Sequence, residues 1–362
     1  MKCRFGSTVP RKPIGDMPPR AELTNRLGSK AATAAGVTRE TMGPLFIVGL
    51  PRSGTKLLRG LLNRHPEIGI PTRESHFIPQ LVARFGTEPD LGRPERCKAF
   101  YSSLTETTFF RQMKAEGRVL ERSRLSREAD LTSWASIFEV LFRYYAPDGK
   151  EDGFVWGDKT PEYVLKMRDL KTLFPRARFL HILRDPRDCC LSVNKTWNRN
   201  VFRAAHVWQE GVLSAGRQSS ALGNDYLEIR YEALLNDVRG VMQDVCTWLG
   251  VEFSTTMERL QQPAEFYGDA RGKTSILTTN QQKYRTQMTR RQIRRIEEIA
   301  YEAMKSTGYA CEYAMGERPL GRLAQGTLAI GDAVASARFH VGDKGFTRGV
   351  RYFIDLHRES QH

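Results

Sequence analysis

The sequence predicts a three-layer α/β domain around a central, mostly parallel sheet, and three observations carry that reading. Short apolar runs, LFIVGL at 45–50, RFLHIL at 178–183 and YLEI at 226–229, are separated by longer stretches of helical periodicity, the alternation expected of an α/β chain. The first run is bounded by Pro44 and Pro51 and contains no polar residue, as in a strand buried on both faces of a parallel sheet. Finally, 40% of the 362 residues are hydrophobic and 27% charged, enough apolar mass for a sizeable core and too much for global disorder.

Taken in order, residues 1–43 are basic and broken by Pro10, Pro13, Pro18 and Pro19. A partly flexible arm is expected there, with a short helix near Ala31–Ala35. The arm holds no apolar run like that of a secretion signal, and the chain has no 18-residue apolar stretch. The expectation is a cytoplasmic protein with at most peripheral membrane contact. Six cysteines, spread out except for Cys189-Cys190, and seven histidines form no zinc-site spacing. Buried thiols in a reducing compartment and no required metal are expected.

After LFIVGL and the turn PRSGT, Leu57, Leu58, Leu61 and Leu62 mark one face of a helix that His65-Pro66 closes. Residues 75–150 read as a mainly helical region with aromatic faces, interrupted at 122–130 by the polar RSRLSREAD, expected to be mobile. RFLHIL is followed by RDPRD and a helix carrying Ser192, Val193 and Trp197. Val241, Met242, Val245, Trp248 and Leu249 give a further amphipathic helix. Thr289 and Gln292 have capping-box spacing ahead of a stripe of Ile293, Ile296, Ala300 and Met304. The domain thus runs over 44–315. Residues 316–362 are a C-terminal extension with a short aromatic helix at Tyr352-Phe353, suited to packing or to forming a homodimer.

The net charge of +15 favours anionic partners, and two segments give them a place. GLPRSGTKLL at 49–58 lies between a strand and a helix start, where unpaired backbone N–H groups can surround a phosphate. Gly54 permits a tight turn, Ser53 and Thr55 add hydroxyls, and Arg52 adds a guanidinium. A Walker A loop requires Lys directly after the second Gly. Here Thr55 intervenes, Lys56 is one position late, and a magnesium-dependent P-loop kinase becomes the competing reading. The second segment, HILRDPRDCCLSV at 181–193, places Arg184 just past a strand and Ser192 on the next helix, where α/β sheets collect ligands. Arg285, Arg290, Arg291, Arg294 and Arg295 cluster without a nucleic-acid motif, so no specific nucleic acid is expected.

These two segments resemble the 5′-phosphosulfate loop and the 3′-phosphate strand and helix of sulfotransferases that use 3′-phosphoadenosine-5′-phosphosulfate (PAPS). GDKTPEYVLK at 157–166, YLEIRYEALL at 226–235 and TGY at 307–309 extend the resemblance over 44–315. LNRHPEI followed by RESHFIP is similar to the tyrosylprotein branch, and bacterial carbohydrate and general sulfotransferases share much of the pattern. The resemblance implies a P-loop-like sulfotransferase fold with a helical acceptor-side insertion. It implies PAPS as co-substrate, adenosine 3′,5′-bisphosphate as product, and direct in-line transfer to a hydroxyl. It also assigns roles. Glu74 is the general base, with His76 the alternative base and acceptor contact, and Arg52 and Lys159 stabilise the leaving phosphate. Ser53, Gly54, Thr55 and Lys56 line the 5′ side, Arg184 and Ser192 hold the 3′-phosphate, and Tyr231 touches the cofactor. Arg271, Lys273, Tyr284 and Arg285 are further phosphate or adenosine candidates. Phe77, Trp134, Phe138 and Tyr144 are candidates for an acceptor wall, their helical spacing being equally that of core packing. A carbohydrate or glycolipid hydroxyl is the leading acceptor, before peptide tyrosine and small hydroxylated compounds; an inactive PAPS-binding or interaction protein is the remaining alternative.

Overall fold

The computed structural model describes residues 42–147, 149–150 and 152–360. The basic arm and the short helix expected near Ala31–Ala35 fall outside the described residues, apart from positions 42 and 43 of the arm.

Five strands form one parallel sheet in the order β2-β3-β1-β4-β5. They are β1 (Met42–Gly49), β2 (Ile68–Gly69), β3 (Val155–Lys159), β4 (Arg178–Leu183) and β5 (Tyr226–Arg230). All three apolar runs of the sequence are strands. The other two were not legible: β2 has two residues, and β3, VWGDK, ends in two charges that are nonetheless buried. Alternation along β1 feeds two cores. Phe46 and Val48 face one, with the aromatic helices, while Leu45 and Ile47 face the other, with Leu58, Leu61 and Leu62.

On the loop after β1 follows α1 (Thr55–Leu62). The acceptor-side region comprises α2 (Ile78–Phe85), α3 (Pro94–Thr105), α4 (Thr108–Ala115), α5 (Arg122–Glu128) and α6 (Trp134–Tyr144). The segment expected to be a mobile separator is therefore helix α5, pinned by a fully buried Leu125 and an Arg124–Glu128 pair one turn apart. A 3₁₀ turn at Pro161–Leu165 and α7 (Met167–Leu173) lead into β4. Beyond it come α8 (Pro186–Trp197) and the long α9 (Val201–Leu222). After β5, α10 (Tyr231–Asn236) and α11 (Val238–Leu249) cover the second core. The capping box at Thr289 and Gln292 opens α12 (Arg290–Ile299), and α13 (Tyr301–Thr307) follows.

The extension holds more helix than the short aromatic segment expected at Tyr352-Phe353. It is a helical hairpin, α14 (Arg322–Lys344) and α15 (Phe346–Ser360). Its anchors are polar. Asp332 accepts from the Asn200 backbone at 2.8 Å and Ser336 from Arg199 at 2.9 Å, tying α14 to the start of α9. Glu359 accepts from the backbone and hydroxyl of Thr108, and Asp355 pairs with Arg111, tying α15 to α4.

A buried ion network closes the domain. Glu297, fully buried, accepts from Arg187 at 2.7 Å and from the backbone N–H groups of Glu312, Tyr313 and Ala314 at 2.8–2.9 Å. Removing one member of such a set leaves a buried cation and three donors short of an acceptor. Glu297→Ala should therefore destabilise the fold by about 3–5 kcal/mol, read as a lowered urea midpoint, with Glu297→Gln milder.

Candidate active site

Parallel pairing brings the carboxyl ends of the strands to one edge. Ile47 of β1 stands opposite Lys159 at the end of β3, Gly49 opposite Ile182, and Leu183 at the end of β4 opposite Arg230. The residues just past those ends, the loop Leu50–Gly54, Arg184 and Tyr231, consequently meet there.

The loop is bent by two positive backbone angles, φ 68° at Arg52 and φ 102° at Gly54, the residue that caps α1. A side chain at Gly54 would put its Cβ 2.4 Å from the Tyr231 ring, so glycine is required twice over, by conformation and by space. Arg184 clamps the turn, donating to the Arg52 carbonyl at 2.9 Å and the Asn280 carbonyl at 2.8 Å while its guanidinium stacks on Tyr231 at 4.3 Å. Asn280 in turn donates to the Tyr231 hydroxyl. Arg52 reaches across to donate to Ser192 Oγ at 3.1 Å, and pairs with Glu265 at 3.0 Å.

An open cleft results, with Arg52, Gly54, Arg184, Ser192, Tyr231 and Lys273 in its lining. Two buried groups at this site, Ser53 Oγ and Arg184 Nε, have no hydrogen-bond partner among the described residues. Unpaired buried donors are costly, and beside a left-handed glycine turn they suit phosphate oxygens. Ser53, Gly54, Arg184, Ser192 and Tyr231 are the residues here that would hold a phosphorylated nucleotide.

A second cluster lies at the end of β3. Lys159, 1% exposed, pairs with Glu74. The other Glu74 oxygen meets His76 Nε2 at 3.0 Å, and His76 Nδ1 meets Glu162 at 3.1 Å. Ser75 fixes the segment by donating its backbone N–H to Thr160 Oγ1 at 2.9 Å. Burial pushes the Lys159 ammonium down to about 8, with Glu74 opposing that fall. Burial would raise the Glu74 carboxyl, but the Lys159 charge and the His76 hydrogen bond hold it well below the usual range. Burial would lower His76 too, but Glu162 and Glu74 together raise it to about 10.

His76 is accordingly a cation at neutral pH, and the expectation of an alternative base is corrected: a ring protonated between two carboxylates has no lone pair to offer. Phe77 and Trp134 are corrected as well. Phe77 is fully buried against Phe109 and Phe138, and Trp134 stacks on Phe138 and donates to the Gly86 carbonyl. Both are core. Phe138 is equally buried, and Tyr144 is spent on the Val119 carbonyl. Of the later candidates, Lys273 lines the cleft; Tyr284 and Arg285 are engaged with Glu312, away from it, and Arg271 is exposed.

Lys56 has a more central place than its register suggested. Its ammonium sits over the rings of Phe266 and Tyr267, and burial lowers its pKa within the fields of Glu265, Glu74 and Arg52. It stands between the two clusters. Sequence reasoning missed Glu265 and Asn280, neither of which lies in a motif, and gave Glu162 no role at the site although it lies within GDKTPEYVLK.

The sequence model of the sulfotransferase family matches residues 44–255, more than half of the chain. Among curated proteins, protein-tyrosine sulfotransferase 2 of Gallus gallus is 25% identical over 224 residues, covering 59% of this chain and 52% of the relative. The nodulation protein NoeE of Sinorhizobium fredii is 30% identical over 152 residues, covering 42% and 31%. Human protein-tyrosine sulfotransferase 1 is 26% identical, covering 56% and 46%. The chain thus spans about half or less of the length of these relatives. Among solved structures, the sulfotransferase domain from the curacin biosynthetic pathway has 20% identity and a TM-score of 0.49, covering 75% of this chain and 99% of that domain.

The charge cluster makes a direct prediction. Glu74 raises the Lys159 pKa against burial, so Glu74→Gln should let it fall from about 8 by roughly a unit or more. Titration of the labelled Lys159 side chain by NMR measures this, and an unchanged value would refute the pairing.

Proposed function

The chain belongs to the sulfotransferase family, and from that premise we propose that it moves the sulfuryl group of PAPS directly onto an acceptor hydroxyl. The observation that carries this reading is the pair of features that strand register brings to the carboxyl edge of the sheet. One is a phosphate cradle with unpaired buried donors; the other is an ionised carboxylate fixed beside a buried lysine. PAPS supplies an activated sulfuryl group and a phosphate leaving group; the chain supplies position, charge and a proton acceptor.

In the proposed step the acceptor oxygen forms a bond to sulfur as the bond from sulfur to the 5′-phosphate oxygen breaks, and that oxygen keeps the electron pair. The acceptor proton goes to Glu74, whose carboxylate is held ionised in advance. Arg52, Lys56 and Lys159 offset the charge gathering on the departing phosphate, each already held by neighbouring groups, so little reorganisation is needed. Arg184 and Ser192 distinguish a ribose bearing a 3′-phosphate from one without. A carbohydrate or glycolipid hydroxyl is the proposed acceptor and peptide tyrosine the second reading, favoured by the tyrosine-directed relatives. The reading retains the cytoplasm as the expected compartment.

Two experiments test it. Calorimetry should show adenosine 3′,5′-bisphosphate binding far more tightly than AMP, and Arg184→Ala should remove most of the difference; equal affinities would count against the 3′ site. With labelled PAPS, Glu74→Gln should keep bisphosphate binding and lose at least roughly tenfold in transfer rate. The rate of the native protein should also fall as pH rises through about 8, where Lys159 loses its charge. Transfer from ATP that chelation abolishes would support the kinase reading instead.

A further inference from the structure

Residues 259–283 form neither a helix nor a strand, yet they supply much of the wall of the nucleotide cleft, Glu265 and Lys273 included. A loop of that length keeps one shape only where specific contacts hold it. Three successive residues of it, Glu265, Phe266 and Tyr267, meet the two cations of the phosphate loop. The Glu265 carboxylate accepts from Arg52 Nη1 at 3.0 Å, and the Tyr267 carbonyl accepts from Arg52 Nη2 at 3.2 Å. The Lys56 ammonium lies 5.7 Å from the centre of the Phe266 ring and 5.9 Å from that of Tyr267, within reach of their electron-rich faces. The turn passes so close that a Cβ on Gly268 would stand 2.9 Å from Arg52 Nη2.

The far side of Tyr267 belongs to the C-terminal hairpin. Its hydroxyl donates to Asp343 Oδ1 at 2.8 Å, and its ring meets Phe339 edge to face with 5.0 Å between centres. Phe339 and Asp343 both lie on α14, which Asp332 and Ser336 fasten to the start of α9 independently of the loop. Tyr267 therefore spans from an anchored helix to both cations, hydroxyl outward, ring and carbonyl inward. We propose that Tyr267 is a positioning residue for sulfuryl transfer, through which the hairpin holds Arg52 and Lys56 at the 5′ side of the nucleotide. This rests on the sulfuryl-transfer reading and extends it to a part of the chain beyond residues 44–255, which the family model matches. Two like charges at close quarters repel; a fixed carbonyl and a fixed ring face offset that repulsion and set where each cation points. Glu265 supplies charge at this wall, and Tyr267 supplies its fixity. A small displacement of groups that touch the leaving phosphate weakens them at that phosphate alone.

The test uses adenosine 3′,5′-bisphosphate with adenosine 3′-monophosphate and AMP, whose affinities isolate the 5′ and the 3′ phosphate in turn. Tyr267→Phe keeps ring and carbonyl and removes only the hydroxyl, Asp343→Ala removes its acceptor, and Asp343→Asn keeps an acceptor oxygen. Calorimetry should show the first two each reducing the preference for bisphosphate over the 3′-monophosphate by roughly threefold to tenfold. The preference for bisphosphate over AMP should stay at the native value, and Asp343→Asn should behave as the native protein. The ³¹P resonance of the bound 5′-phosphate should move in the same two variants while that of the 3′-phosphate stays. Combining Tyr267→Phe with Asp343→Ala should cost no more than either alone, because both break one bond. An unchanged preference in both single variants overturns the inference. So does an equal loss at both phosphates, which is the mark of general loosening, or a double variant that loses the sum. A native protein that binds bisphosphate no more tightly than the 3′-monophosphate overturns the sulfuryl-transfer reading, and this inference with it.

Discussion

A lysine ammonium at the end of a core strand is the constraint from which much of the site follows. Lys159 is 1% exposed, and a buried cation without a counterion costs several kcal/mol. Glu74 must stand beside it, and the Ser75 backbone bond to Thr160 keeps it there. Glu74 then carries His76, and His76 carries Glu162. Charges alternate along the chain of contacts, cation, anion, cation, anion, so each member is stabilised by its neighbours. Because Glu74 and His76 lead into α2 while Lys159 and Glu162 flank the end of β3, the same chain fastens the helical region to the sheet. Stability and chemistry share these residues.

The loop after β1 divides the space at that edge. Arg184 braces it from one side through the Arg52 carbonyl, and Gly54 lets Tyr231 close against it. Phosphate donors and the stacked guanidinium lie in one cleft; apolar side chains and the hairpin enclose the other. The hairpin ties Asn200 at the start of α9 to Thr108 of α4 without contributing a strand to the sheet.

How much of this was legible depends on which physical signal each part leaves in the chain. Strands β1, β4 and β5 were readable because burial on both faces demands unbroken apolar runs. Strand β3 was hidden by Asp158 and Lys159, which sequence patterning assigns to the surface; Lys159 is held inside by Glu74, a partner visible only after folding. The phosphate loop was readable from Gly54 and its neighbours, since few residues tolerate φ 102°. His76 was misread because its protonation is set by Glu162, a partner visible only after folding. Phe77 and Trp134 show the limit of periodicity: a stripe facing a core and a stripe facing a ligand have the same spacing. The hairpin left little trace because Asp332, Ser336, Asp355 and Glu359, rather than an apolar face, fasten it.

Lys56 shows how a shift of one residue changes the use of a loop. A helix turns about 100° per residue, so a lysine placed after Thr55 leaves the cradle in which a Walker lysine would lie. Here it reaches the rings of Phe266 and Tyr267, between Arg52 and the Glu74 cluster. The positive charge of the site is thus spread over three points instead of concentrated at one. Arg52 is held by Glu265, Lys159 by Glu74, and Lys56 lies in the field of both carboxylates. Held cations do not have to move as charge develops, and fixed dipoles and charges aimed in advance are the largest single source of transition-state stabilisation in many enzymes. On the proposed reading, the displaced lysine links the phosphate cradle to the proton acceptor, two parts that the sequence presents as separate motifs.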